Sequence, residues 1–198
     1  MTLTKKENNM KKIITFAAVA AMIIATPVFA GTLTGEARFG DVRGGKNTDS
    51  TELKVEYWDS LVGNIVAGAE LQAKQYENAG SLSSAFSFKG GYVLPKFLNV
   101  ETTAYSELGE SFKLHNNQDF WGLGVKGSYP VVGPLSLTSG YRHRQGFDSS
   151  VVSRMNEERL NAGVSYGIMP GTSLGTTFYR TSGTTKSDTV GVSLSHKF

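Results

Sequence analysis

The sequence predicts an all-β fold, a transmembrane antiparallel up-and-down β-barrel of ten strands, with eight strands as the alternative. Three observations predict it: an export signal, ten segments of alternating polarity, and aromatic residues that recur at one end of every second segment. Composition agrees. The 198 residues are 39% hydrophobic and 19% charged, with 23 glycines, five prolines and no cysteine, which excludes a collagen, a disulfide scaffold and a disordered tail.

The signal comes first. Lys5, Lys6, Lys11 and Lys12 precede an uncharged run over residues 13–26, followed by Pro27-Val28-Phe29-Ala30. This pattern reads as a secretory signal peptide over residues 1–30, cleaved after Ala30, with the barrel domain over 31–198. The apolar run is shorter than the ~20 residues a retained helix needs. Those four lysines and Glu7 come out of 20 basic and 17 acidic side chains, so the mature chain holds 16 of each. The basic character therefore belongs to the signal, and no electrostatic case for a nucleic-acid partner remains. Export without cysteine fits a bacterial envelope protein.

Ten alternating segments follow. The first sets Leu33, Gly35, Ala37 and Phe39 against Thr34, Glu36, Arg38 and Gly40. The second sets Leu53, Val55 and Tyr57 against Lys54, Glu56 and Trp58, and the third Ile65, Ala67, Ala69 and Leu71 against Glu70, Gln72 and Lys74. In the fourth, Phe86, Phe88 and Tyr92 oppose Ser87, Lys89 and Gly91. In the fifth, Leu98, Val100, Ala104 and Leu108 oppose Glu101, Thr103, Tyr105 and Glu107. The sixth places Trp121, Leu123, Val125 and Tyr129 opposite Lys126 and Ser128, and the seventh Leu135, Leu137 and Tyr141 opposite Thr138, Arg142 and Arg144. The eighth opposes Leu160, Ala162, Val164 and Tyr166 to Arg159, Asn161 and Ser165. The ninth is weakly patterned, with Leu174, Thr176 and Phe178 against Thr177 and Tyr179. The tenth sets Val190, Val192 and Leu194 against Thr189, Ser193 and Lys197.

A soluble sandwich alternates too, so the connections and the rings must decide. Breaks at 44–50, 77–81, 109–119, 146–156 and 182–188 are long and polar, whereas those at 59–64, 94–97, 130–134 and 169–172 are mostly shorter and proline-bearing. Long loops at one end and short turns at the other are an outer-membrane barrel's pattern. Tyr57, Tyr92, Tyr129, Tyr166 and Phe198 stand at the short-turn end of the even segments, spaced 35, 37, 37 and 32 residues apart. Rings at one height form the interfacial girdle a bilayer favours.

With its signal, strand parity and terminal Phe198, the sequence resembles the bacterial outer-membrane β-barrel class, in its small porin-like form. The resemblance covers residues 31–198. It implies outer-membrane lipid as surroundings and recognition of Phe198 by the barrel-assembly machinery.

If the aliphatic face meets lipid, the polar face lines the interior, because a mid-bilayer charge costs about 2–4 kcal/mol. The inward set is Arg38, Lys54, Lys74, Lys89, Lys126, Arg142, Arg144 and Arg159 with Glu36, Glu56, Glu70, Glu101, Glu107 and Glu157. Ten strands leave more interior than the side-chain-filled eight, and inward glycines such as Gly91, Gly122, Gly124 and Gly191 remove further volume. A narrow passive channel for ions or small hydrophilic solutes is expected, with weak anion preference from Arg142 and Arg144. Its expected lining is Arg38, Lys54, Lys89, Lys126, Arg142, Arg144 and Arg159 facing Glu36, Glu101 and Glu107. The alternative is a surface-interaction barrel acting through loops 109–119 and 146–156. An enzyme is not expected: His115, His143 and His196 are scattered, and His143 with Ser139 lies on the outward parity. No cofactor or metal is expected either, since cysteine is absent and no ligand cluster forms.

Overall fold

Period-two alternation puts the two residue classes on opposite faces of a pleated strand, and ten such strands bury the polar face only by closing on themselves. The computed structural model of the protein describes residues 31–42, 49–76, 82–112, 117–147, 155–184 and 186–198. The expected signal peptide lies outside them, as do the central parts of most polar loops. The strands are β1 (Thr32–Val42), β2 (Asp49–Val62), β3 (Ile65–Tyr76), β4 (Leu82–Phe97), β5 (Val100–Phe112), β6 (Gln118–Val132), β7 (Leu135–Gly146), β8 (Asn156–Met169), β9 (Thr172–Gly183) and β10 (Ser187–Lys197). Each pairs antiparallel with its neighbours in sequence, and β1 pairs with β10 from Thr32↔Lys197 to Val42↔Ser187. The barrel is closed with ten strands. The weakly patterned ninth segment is a full strand, so the eight-strand alternative falls.

The short connections are tighter than the sequence suggests. Residues 63–64, 98–99, 133–134 and 170–171 each form a two-residue turn. Gly133 and Gly171 take positive φ there, where a side chain would be strained. At 98–99 the turn uses Leu98 and Asn99, both left-handed, and the strand runs through the expected break at 94–97 to reach them. Pro95 thus lies within β4 and Pro130 within β6, each beside a register shift. A bulge interrupts the ladder, so the missing N–H of proline is tolerated. At the other end the expected loop 109–119 shrinks to residues 113–117, because β5 continues to Phe112 and β6 starts at Gln118.

The molecule is inside out. Outward Phe88, Leu123, Leu160 and Val190 are exposed to the surroundings, while Glu36, Arg38, Glu52, Glu70, Lys89, Glu107, Arg142, Arg144 and Arg159 are buried in the interior. Tyr57, Tyr92, Tyr129 and Tyr166 share the outward parity near the short turns. Phe198 follows β10, its N–H donating to the Gly31 carbonyl at 3.0 Å and its ring edge-on to His196 at 4.6 Å.

Candidate functional site: a charged belt across the lumen

Twelve inward charges meet near mid-barrel, and ten of them close into a ring of alternating sign. From Glu70 the ring runs to Lys89 (2.7 Å), Glu56 (2.6 Å), Lys54 (3.1 Å), Glu36 (3.1 Å), Arg38 (2.7 Å) and Glu52. It continues to Arg159 (3.4 Å), Glu157 (3.3 Å), Arg142 (3.0 Å) and back to Glu70 (3.2 Å). Arg144 and Glu107 attach to it. Arg144 grips Glu107 through Nε and Nη2, at 2.7 and 2.8 Å, and reaches Glu70 at 2.8 Å. Two-pronged guanidinium–carboxylate bonding of this kind is strong and directional.

The ring crosses the lumen twice. Glu52 on β2 meets Arg159 on β8, and Glu70 on β3 meets Arg142 on β7, so four strands apart are tied through the interior. Isolated buried charges are costly to desolvate, and the alternating order gives every member an opposite partner. The belt divides the cross-section into a β4–β6 side and a β9–β10 side.

On the β4–β6 side the inward glycines do not leave open space. They are seats. A Cβ on Gly124 would lie 2.3 Å from the Tyr105 ring, and one on Gly122 would lie 2.6 Å from the Glu107 carboxylate. Tyr105↔Gly124 and Glu107↔Gly122 are direct cross-strand pairs, so each large side chain lies flat over the glycine opposite. Phe120 is fully buried over Gly109 and beneath the Arg144 guanidinium, 4.6 Å from its ring centre. The expected pore-widening role of these glycines is therefore corrected: register places a bulky neighbour into each gap. On the β9–β10 side the inward residues are Gly175, Thr177, Tyr179 and Thr181 with Ser187, Thr189, Gly191, Ser193 and Ser195. Tyr179 is the exception in size; its hydroxyl donates to Glu36 and its ring lies under Arg38 at 4.1 Å.

Space remains above and below the belt. A cavity of about 310 Å³ opens on the short-turn side, bordered by Thr34, Lys126, Asn161, Thr177, Ser193 and the lower faces of the belt. A second, of about 100 Å³, lies on the long-loop side between Lys74, Tyr76, Ser84, Ser111, Glu157 and Thr181.

Of the ten residues expected to line the interior, Glu36, Arg38, Lys54, Lys89, Glu107, Arg142, Arg144 and Arg159 come together in the belt. Lys126 stands below it in the larger cavity, its ammonium 3.9 Å from the Trp58 ring centre. Glu101 stays at the short-turn rim, exposed and 3.4 Å from Lys96. Arg142 and Arg144 are not free cations but are held by carboxylates. Glu52, Phe120 and Tyr179 escaped selection as site residues. Extending the second and sixth alternations by one residue would have put Glu52 and Phe120 inside; Tyr179 was on the inward face but carried no charge to single it out.

A family model described as Gram-negative porin matches residues 13–186. The chain belongs to the Gram-negative porin family. As a member it is a porin-like barrel of the bacterial outer membrane. Among solved structures it is similar to an outer membrane channel from Pseudomonas putida F1, with 10% identity, 88% of this chain and 97% of that one covered, and a TM-score of 0.55. It is also similar to the KdgM porin in complex with disordered oligogalacturonate (10% identity, 84% and 99% covered, TM-score 0.47) and to the β domain of the Bordetella autotransporter Brka (13% identity, 86% and 100% covered, TM-score 0.49). At such identities the likeness concerns the fold. No curated protein sequence matches the chain.

Proposed function

We propose that this porin is a narrow passive channel for ions and small hydrophilic solutes, with a weak preference for anions. The observation that carries the reading is the pair of cavities set back to back across the belt within a closed barrel. The path is proposed to pass Arg38, Lys54, Lys89, Lys126, Arg142, Arg144 and Arg159, facing Glu36, Glu101 and Glu107. Belt charges cancel in pairs, so the excess cation comes from Lys126 in one cavity and Lys74 in the other, neither within 4.0 Å of a carboxylate among the described residues. Rings of cationic side chains favour anions over cations. Purified protein in planar bilayers should give small, stepwise conductance and a reversal potential displaced slightly toward that of the anion. Insertion without conductance, in the natural chain and in variants with an opened belt alike, would sink the channel.

The belt also favours a second reading, a barrel whose ion pairs serve stability while its loops bind a surface partner. Under that reading conductance is small or absent, loops 109–119 and 146–156 carry the contact, and trimming 109–119 abolishes attachment. Export is proposed to end with cleavage after Ala30, which the mass of the mature chain checks. Phe198 is proposed to be read by the assembly machinery; deleting it should lower assembly in cells far more than refolding into detergent, and equal losses would reject that role.

A further inference from the structure

Arg159 differs from the rest of the belt in two respects. It borders both cavities, and among the described residues no other does so. Its two ion pairs, at 3.4 Å to Glu52 and 3.3 Å to Glu157, are the longest links in the ring, well outside the ~2.7–2.9 Å of a strong charge-assisted bond. Its Nε, like those of Arg38 and Arg142, has no hydrogen-bond partner, and its guanidinium carbon is 5.9 Å from the Tyr179 ring centre, against 4.1 Å for Arg38.

Its partners are also secured without it. Glu52 keeps Arg38, and Glu157 keeps Arg142 at 3.0 Å, so displacing Arg159 orphans neither carboxylate. Arg144 offers the contrast. Without it Glu107 would retain only the Ser87 hydroxyl at 3.3 Å and Arg142 at 3.9 Å. The long, flexible Arg159 side chain pairs with Thr181 on β9, where, Tyr179 apart, the inward residues from Gly175 to Thr181 and from Ser187 to Ser195 are Gly, Ser and Thr.

We propose that Arg159 is the movable septum of this channel: its guanidinium separates the two cavities at rest, and its displacement joins them into one path along β9. The inference rests on the channel reading and identifies where that channel is closed. Arg159→Ala, refolded and checked for heat-modifiable migration, should conduct several-fold more than the natural chain in planar bilayers. Since the chain has no cysteine, Arg159→Cys supplies an independent test. A methanethiosulfonate ethylammonium reagent should reach it from either face of the bilayer and reduce the current by restoring a bulky cation.

An Arg159→Ala conductance no larger than that of the natural chain overturns the septum, as does labelling of Arg159→Cys from one face only. The natural chain separates the two failures. If it conducts while Arg159→Ala is unchanged, only the septum is lost; if both are silent, the channel reading is lost as well. A silent natural chain with a conducting Arg159→Ala would support the septum and show that it is closed at rest.

Discussion

The two sides of the belt are built from the same ladder and opposite side-chain economies. On the β4–β6 side, glycines face Tyr105, Glu107 and Phe120, and each large group fills the space its glycine vacates. On the β9–β10 side Gly175 pairs with Ser193 and Gly163 with Thr177, both small hydroxyl residues, and Gly191 alone of these lies beneath larger groups, the Glu36 carboxylate and the Tyr179 ring. The same residue type therefore seats a large group at Gly122, Gly124 and Gly191 and only a small hydroxyl at Gly175. Glycine content alone says nothing about a lumen; the residue registered opposite decides.

The largest effect expected of this contrast is on the filled side. Arg144→Ala leaves Glu107 short of its main cation, while Glu70 keeps Lys89 and Arg142, and breaking a buried pair in this way costs about 3–5 kcal/mol. Urea unfolding in detergent should show that loss. A loss below about 1 kcal/mol would mean that water reaches the belt freely and that the ion pairs are not its scaffold.

Next comes a matched pair of glycine substitutions. A Cβ on Gly122 would meet the His143 carbonyl at 2.7 Å as well as Glu107, and backbone cannot step aside. Gly122→Ala should therefore destabilise by about 1–3 kcal/mol, the usual cost of overpacking. At Gly175 the close atom is the Ser193 hydroxyl at 2.6 Å, which can rotate away, with the Val164 carbonyl at 3.4 Å. Gly175→Ala should stay within about 0.5 kcal/mol of the natural chain. Equal costs at the two sites would erase the distinction between the walls.

On the open side the expected effect is on flux and not on stability. Thr177→Trp fills the β9 face of the larger cavity and should cut single-channel conductance several-fold with the unfolding midpoint nearly unchanged. An unaltered conductance would move the path away from β9. Smallest of all should be Lys126→Glu, which reverses one vestibule charge without breaking an ion pair and should displace the reversal potential modestly toward the cation. Absence of any displacement would return the source of selectivity to the belt itself.

Much of this protein was legible as sequence. Strand number, the antiparallel order, the polar interior and the outward rings follow from alternation, because a period of two admits one face to lipid and one to the lumen and a single slip would put charges in hydrocarbon. The positions of the ends were less legible: Pro95 and Pro130 look like breaks until a bulge removes the need for their N–H, and the Leu98-Asn99 turn lacks the glycine that marks the others.

Local pattern also placed most of the belt's charges on the inner face, including Glu36, Arg38, Lys54 and Arg159. It could not say which of them would meet, because Glu52 and Arg159 lie 107 residues apart and are brought together only when β10 closes on β1. Nor could it say that Gly122 and Gly124 are seats, since that depends on which residues of β5 fall opposite them. Sequence determined the faces, for a face is a property of one strand. Tertiary structure alone decided the pairs across the lumen and the glycines filled from opposite, for each of these belongs to two strands at once.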